Sequence, residues 1–298
     1  MPSQGGEMEI IMKDEVFVKQ ITDDKFDYRH SKTYENTNDT FYLHNHNDMF
    51  ETLIFVSGKA DFTVEGSTYS MKSGNILMVS PNEMHRMRVD FSHAYERIVL
   101  MTHKSFYDSM PQLGQIFAQR KPGENNVIDI SDADRKIIFD ICKKIEYYND
   151  SFPDNDIKKE VTKNLVTELI YVLACSKHIR VETAQEDERM KKILSYINEN
   201  LCEKLTLEII ANKFFINKYH LCRIFKVSTG MTVKKYINYK RLLLANDLHA
   251  SGKNLTEACF SSGFENYSTF YKLYKDFTGD CPRRGGNIIM QKPHKDLK

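Results

Sequence analysis

The sequence predicts an α+β, multidomain protein with a strand-rich N-terminal domain, a helical middle region and an all-α C-terminal domain. Residues 15–110 contain short β-branched and aromatic runs separated by glycine turns, which is typical of strands. Helical periodicity begins after Pro111 and continues through two long segments. The last third then repeats one helix-turn-helix pattern. We therefore expect three regions, 15–110, 111–180 and 188–286.

In the first region, the run TLIFVSGKADFTVEGSTYSMKSGNILMVSP contains several short strands. Alternation is clear in ADFTV, where Phe62 and Val64 share one face. Regular short strands joined by glycine turns predict an antiparallel sandwich or barrel.

The middle region contains two amphipathic helices. Apolar residues recur at helical spacing in both, namely Ile137, Ile138, Ile141 and Ile145 in one and Val161, Leu165, Leu169 and Leu173 in the other. Such stripes fit packing against the barrel and fit a dimer interface equally well, because a stripe does not identify its partner. The polar run RVETAQEDER, 180–189, is the expected linker.

The last region contains two similar helix-turn-helix patterns. LTLEIIANKFFINKYHLCRIFKVSTG, 205–230, has Ala211 at a close helix crossing and Asn217 as the N-cap of its second helix. LTEACFSSGFENYSTFYKLYKDFTG, 255–279, repeats the pattern with Gly263 in its turn. A long amphipathic helix joins the two. A single helical hairpin is weak evidence, but two with matching endings are specific.

Charge separates this last region from the rest. From Arg189 onward there are 20 basic and 9 acidic residues, whereas 22 basic and 32 acidic residues precede it. A basic third on an acidic body favours a polyanionic partner. No apolar run is long enough for a membrane span and the N-terminus does not resemble a signal peptide. Six scattered cysteines suggest buried free thiols, so we expect a cytoplasmic protein without a membrane partner.

The stretch HNHNDMFE, 44–51, would place two histidines on one face if it is a strand. With Gly58, Gly74, Pro81 and His85 it resembles the two cupin motifs, HxHxxxxExxxxxxG and GxxxxxxPxxxH. This resemblance implies a double-stranded β-helix barrel. We expect its pocket to bind a small-molecule effector, and the candidate pocket residues are Tyr42, His44, His46, Glu51 and His85.

Three imidazoles and a carboxylate also suit a metal ion. The alternative function is therefore a metal-dependent cupin enzyme, an oxygenase or isomerase, with a helical appendage and with His44, His46, Glu51 and His85 as ligands. The asparagine that usually follows the last motif histidine is missing from HRMRVDF. We expect no metal, no cofactor and no catalytic residue, because an enzyme does not need two helix-turn-helix units beside a basic surface.

The residues HLCRIFKVSTG, YKRLLLAND and GFENYSTFYKLYKDFTG resemble the AraC/XylS family of bacterial transcription factors over about 190–283. The resemblance implies a sequence-specific regulator of double-stranded DNA, an activator, with a small-molecule effector such as a sugar. It also implies a homodimer and allows RNA polymerase as a partner. The family's DNA-reading positions fall on Lys218, Tyr219, Cys222, Arg223, Lys226, Asn266, Tyr267, Ser268, Tyr271, Lys272 and Lys275.

Three positions depart from the family pattern. Phe215 occupies the first turn, where a small residue is easier to accommodate, so we expect that turn to differ in shape. Cys222 is short for base reading. After Pro282 the chain lacks the family's usual ending, and we expect a shortened final helix.

Overall fold

The computed structural model describes residues 14–35, 43–118, 120–183, 188–278 and 281–282. Its N-terminal part contains ten strands within these residues. Their bounds are β1 Asp14–Thr22, β2 Phe26–Glu35, β3 Met49–Ser57, β4 Ala60–Val64, β5 Ser67–Ser70, β6 Ile76–Val79, β7 His85–Val89, β8 Tyr95–His103, β9 Val127–Asp129 and β10 Ile179–Arg180.

The strands form two antiparallel sheets. One has the order β1-β2-β8-β3-β6-β9-β10, and the other has the order β5-β4-β7. Strands β9 and β10 come from the region 111–180, so the larger sheet draws on chain beyond residue 110. The predicted α+β architecture with an N-terminal barrel is confirmed.

The barrel core lies between the two sheets. Phe62 and Val64 are buried there, as their alternation predicts. Strand β6 is buried at all four positions because both of its faces are covered. Leu77 and Val79 belong to the barrel core, whereas Ile76 and Met78 belong to the core under the helices. This split follows from the period of two along a strand.

Three helices cover the outer face of the larger sheet: α1 Pro111–Ala118, α2 Asp132–Ser151 and α3 Asp156–Cys175. A short 3-10 helix, Lys104–Tyr107, precedes them. Most of the apolar residues predicted to form a stripe on α2 and α3 share one buried core with the larger sheet, namely Ile138, Ile141, Ile145, Leu165, Leu169 and Leu173. The stripe was predicted either to pack against the barrel or to form a dimer interface. These six residues pack against the barrel.

The C-terminal part consists of six helices within the described residues. Their bounds are α4 Glu188–Glu199, α5 Leu207–Lys213, α6 Lys218–Thr229, α7 Val233–Ala250, α8 Leu255–Ser261 and α9 Tyr267–Thr278. They share one core, which includes Ile210, Leu221, Phe225 and Phe270. Two residues of the N-terminal part, Leu43 and Met84, also pack into this core.

The described helices include none with the length and apolar character that crossing a bilayer requires. The cysteine prediction was partly wrong. Cys142 and Cys259 are buried, but Cys175, Cys202 and Cys222 are exposed and Cys281 is half-buried. Residues 283–298, which include most of the departing C-terminal sequence, lie outside the described part of the chain.

Candidate functional site

Three histidines and one glutamate converge at the mouth of the barrel. The rings of His44 and His85 have centroids 4.2 Å apart, and each lies 5.3 Å from the ring of His46. His44 and His85 also form an antiparallel bridge through hydrogen bonds of 2.9 and 2.8 Å between their backbone groups. Strand β3 begins only at Met49, so HNHNDMFE is not one continuous strand, and that condition for placing His44 and His46 on one strand face is not met. The bridge brings the rings together instead.

Glu51 lies beneath these rings and is 8% exposed. Its Oε2 atom is 3.3 Å from His46 Nε2 and 3.1 Å from His85 Nε2. Burial alone would raise the pKa of Glu51, but the two imidazoles outweigh burial and hold that pKa well below its usual value. The carboxylate is therefore ionised at neutral pH.

The tautomer of His85 follows from its second partner. Its Nδ1 lies 3.0 Å from the Glu83 carbonyl, which can only accept, so Nδ1 carries a proton. Burial lowers the pKa of His85, but Glu51 outweighs this effect and raises it. His85 Nε2 and Glu51 Oε2 are buried and close, yet neither has a hydrogen bond of good geometry. The two atoms lie 3.1 Å apart.

The donor set suits a divalent metal ion. His44, His46, Glu51 and His85 each offer one ligand atom, and these atoms all lie within 4.8 Å of one another. Imidazole nitrogens with one carboxylate oxygen are ligands that Zn, Fe, Mn and Ni accept. A bound ion would supply a positive charge and open coordination positions for an oxygen-bearing ligand. Tyr42, the fifth predicted pocket residue, lies outside the described residues.

The first helix-turn-helix unit is α5 and α6. The Asn217 side chain accepts from the His220 amide at 2.7 Å and caps α6, as predicted. The buried face of the unit includes Ile210, Ala211, Leu221 and Phe225. The opposite face of α6 exposes all five of its predicted DNA-reading residues, namely Lys218, Tyr219, Cys222, Arg223 and Lys226.

Two of these five side chains already have partners, since Arg223 Nη2 also lies 3.4 Å from His220 Nδ1. Lys218 Nζ lies 2.7 Å from Glu208 Oε1 of α5. The hydrogen bond to Glu208 raises the pKa of Lys218 and keeps it charged. Lys218 must therefore leave or share this carboxylate to contact another anion.

The second unit is α8 and α9. Ser268, Tyr271, Lys272 and Lys275 are exposed on α9. Asn266 is also exposed, but its Oδ1 accepts from the Thr269 amide at 2.8 Å. That side chain therefore caps the start of α9, a role that was not among the predictions for Asn266. Tyr267 is half-buried and packs against the helical core.

The two turns share one hydrogen-bond pattern and a residue of positive φ. That the first turn differs in shape from the family's usual turn stays a prediction. Phe215 has φ +53° and Gly263 has φ +91°. Each turn forms the same pair of hydrogen bonds: Phe215 and Ile216 donate to Asn212 and Ala211 in one, and the corresponding residues of the second turn repeat this. The Phe215 side chain avoids any clash because it is 96% exposed.

A polar contact between the two parts of the chain was not predictable from short-range sequence patterns. Glu65, in the turn after β4, binds Lys240 and Tyr236 of α7. Lys240 is only 9% exposed. A lysine and a tyrosine on a helix, such as Lys240 and Tyr236, are usually expected to be exposed. Because their partner Glu65 is distant in sequence, only the folded structure reveals the pairing.

Two family models match the chain. A model described as an AraC-like ligand binding domain matches residues 31–137, and one described as a helix-turn-helix domain matches residues 210–285. Together they span more than half of the chain.

Similar proteins and structures cover most of the chain at low identity. The HTH-type transcriptional activator RhaS of Citrobacter koseri is 21% identical over 251 residues, 83% of this chain and 89% of RhaS. The structure of ToxT from Vibrio cholerae is 17% identical, covers 87% of this chain and 97% of ToxT, and has a TM-score of 0.34. The AraC-like transcriptional activator CuxR is 16% identical, covers 82% of this chain and 84% of CuxR, and has a TM-score of 0.37.

Proposed function

The chain belongs to the AraC/XylS family of transcription regulators, and we propose that it activates transcription by binding specific DNA in response to a small polar effector. The observation that carries this proposal is the pair of helix-turn-helix units, each with a buried apolar face and an exposed basic and aromatic face on its second helix. Second helices of this kind enter the major groove of DNA.

The exposed side chains have the chemistry for two kinds of DNA contact. Arg223 suits the two acceptors on a guanine edge, and Ser268 suits a base or phosphate. The ammonium groups of Lys226, Lys272 and Lys275 suit phosphates, which strengthen binding without reading sequence. Cys222 has little reach, so we assign it packing at the DNA surface and not base reading.

The effector pocket that we propose is the cluster of His44, His46, Glu51 and His85, together with Tyr42. An ionised carboxylate, the half-buried imidazoles of His44 and His46 and the buried one of His85 offer acceptors and donors at fixed positions, which suits a ligand with several hydroxyl groups. A sugar is the effector class that we propose. The domain ranges 15–110, 111–180 and 188–286 are proposed as the barrel, the helical linker and the DNA-binding domain.

We also propose a cytoplasmic homodimer that acts with RNA polymerase. The outer side of α3 supports a dimer: Ile157, Val161 and Tyr171 are exposed, and their spacing places them on one side of the helix. A second copy of this surface would remove these apolar groups from water.

A metal-dependent enzyme is the second candidate, because the four ligand atoms within 4.8 Å of one another would also serve catalysis. We propose no catalytic role, since the relatives are transcriptional activators and the helix-turn-helix units have no use in an oxygenase or isomerase.

The test is selection of duplexes from a random pool by the full-length protein, followed by anisotropy with the selected duplex and a scrambled one at several salt concentrations. We expect enrichment of one sequence and a steep loss of affinity with salt. The matched pair of variants is Lys226→Ala on α6 and Lys143→Ala on α2, and only the first should reduce the salt dependence. A pool without enrichment, or equal affinity for both duplexes, would refute sequence-specific binding.

A further inference from the structure

The chain segments that carry the three pocket histidines also contact the C-terminal domain. Segments 43–46 and 82–85 are held together by the bridge between His44 and His85. The amide of Asn82 donates to the His46 carbonyl at 2.8 Å and forms a second link between the segments. Three backbone hydrogen bonds therefore join the two segments.

Neighbouring side chains of these segments face opposite ways. Leu43 and Met84 pack into the core of the C-terminal helices. Asn45, which is 3% exposed, accepts a hydrogen bond from the Tyr239 hydroxyl of α7. The histidines beside Asn45 turn toward Glu51 instead. This follows from alternation along extended chain, where adjacent side chains point to opposite sides.

Glu65 extends this contact toward α7. Its backbone amide donates to the Met84 carbonyl at 2.9 Å, and its Oε1 accepts from the Met84 amide at 2.8 Å. The same carboxylate accepts from the Tyr236 hydroxyl at 2.8 Å, from Asn198 of α4 at 3.1 Å and from the Lys240 ammonium group. Met84 precedes His85, so one peptide separates the pocket from this buried network.

Asn82 makes a third contact with α7. Its side-chain amide donates to Asp247 Oδ2 at 2.9 Å, and its carbonyl accepts from Lys240 Nζ at 3.0 Å. A buried ammonium group is strongly destabilising when it loses its partners. Lys240 therefore responds to the position of both Asn82 and Glu65.

Helix α7 joins the two helix-turn-helix units, since α6 precedes it and α8 follows it directly. We propose that the bridged segments 43–46 and 82–85 couple the effector pocket to α7. A ligand that shifts the His44–His85 bridge thereby shifts the helix that sets the relative position of the two DNA-reading helices. This inference rests on the proposed function and names how that pocket would regulate DNA binding.

The first test perturbs α7 and measures the pocket segments by hydrogen exchange of the full-length protein without DNA. Tyr239→Phe keeps the ring but removes the donor to Asn45. We expect exchange in peptides over 43–47 and 82–86 to accelerate about fivefold, the factor that corresponds to one lost hydrogen bond. The control is Tyr34→Phe, whose ring lies exposed on β2 and should have no effect.

Lys240→Met repeats this test by removing the buried charge. If that variant does not fold, Tyr239→Phe still decides the question. Unchanged exchange in the pocket peptides of folded Tyr239→Phe would overturn the proposal.

The second test runs in the opposite direction, because coupling between two sites is reciprocal. His85→Asn alters the pocket, and we expect exchange in the peptide over 233–250 to change at least threefold. His93→Asn, in the exposed turn before β8, is the control and should leave this peptide unchanged. A change in both variants, or in neither, would overturn the coupling.

DNA-binding measurements distinguish the coupling between the pocket and α7 from its role in regulating DNA binding. Tyr239→Phe should change affinity for the selected duplex at least threefold, although Tyr239 lies on no DNA-reading surface. Altered exchange with unchanged affinity would overturn the regulatory role. Failure to select any duplex would refute the proposed function alone, and the two exchange experiments would still decide the coupling.

Discussion

The two helix-turn-helix turns allow a paired prediction, because they share one hydrogen-bond pattern and a positive φ but carry different residues at that position. Phe215 adopts φ +53°, a left-handed conformation that costs an L-residue about 1 to 2 kcal/mol. Glycine avoids this cost, but it increases the entropy of the unfolded chain by an equivalent of about 0.4 to 1 kcal/mol. Since the Phe215 side chain is 96% exposed, little packing is lost. We expect Phe215→Gly to raise the free energy of unfolding by about 0.5 to 1 kcal/mol.

Gly263→Ala should have the opposite effect. At φ +91°, an added Cβ would lie 2.2 Å from the Leu201 carbonyl oxygen and 3.0 Å from Cys202 Cα. Both neighbours are backbone atoms, so neither can rotate away. Strain and overpacking together should lower the free energy of unfolding by about 2 to 4 kcal/mol.

Urea denaturation of the full-length variants, followed by circular dichroism, measures both effects. Affinity for the selected duplex serves as a second readout for Phe215→Gly and should stay within about twofold of the original protein, since the turn is not among the proposed DNA contacts. The reasoning is refuted if Phe215→Gly lowers the free energy of unfolding, or if Gly263→Ala leaves it unchanged.

Four further predictions concern the two sites and the barrel. Arg223→Ala should cost about 1 to 3 kcal/mol on the selected duplex and relax preference at one base pair, and an equal loss on every duplex would contradict base reading. Lys272→Ala should lower the salt slope by about 1 without altering sequence preference, as repeated selection with the variant would show. Removal of metal ions with a chelator should leave affinity for the selected duplex unchanged; a loss restored by Zn²⁺ would favour a metal-dependent pocket. His30 bonds Glu146 at 2.9 Å and Glu96 at 3.0 Å, and although burial lowers the pKa of His30, these two carboxylates outweigh it and raise the pKa. Its stabilising effect is present at acidic pH and lost as pH rises through the raised pKa, so His30→Gln should lower the free energy of unfolding more at about pH 6 than at about pH 9.

The parts of the fold that depend on short-range sequence patterns were predictable. Asn217 caps α6 as expected, because a cap needs only residues within one turn. The alternation of Phe62 and Val64 placed both in the barrel core for the same reason. The pocket histidines converge as the motif implied, and the bridge between His44 and His85, which the motif does not indicate, brings two of them together.

Features that depend on long-range partners were not predictable. The apolar stripe on α2 and α3 predicts which side of each helix is buried. It does not predict the sheet that covers this side, because that sheet is assembled from strands distant in sequence. Lys240 belongs to a basic region and gives no local sign of burial, because Glu65 reaches it only after the two domains pack. Asn266 looked like a DNA contact because the same amide that can read a base can also cap a helix.

The packing of Leu43 and Met84 into the helical core bears on how far the two domains are interchangeable modules. A barrel transplanted from a relative would have to bring apolar groups of matching shape, or leave a void at the surface where α7 docks. It would also have to bring a carboxylate for Lys240. We therefore expect chimaeras of this family to function only when the barrel and α7 come from the same parent. This contact between the domains should also limit the exchange of sensor domains during evolution.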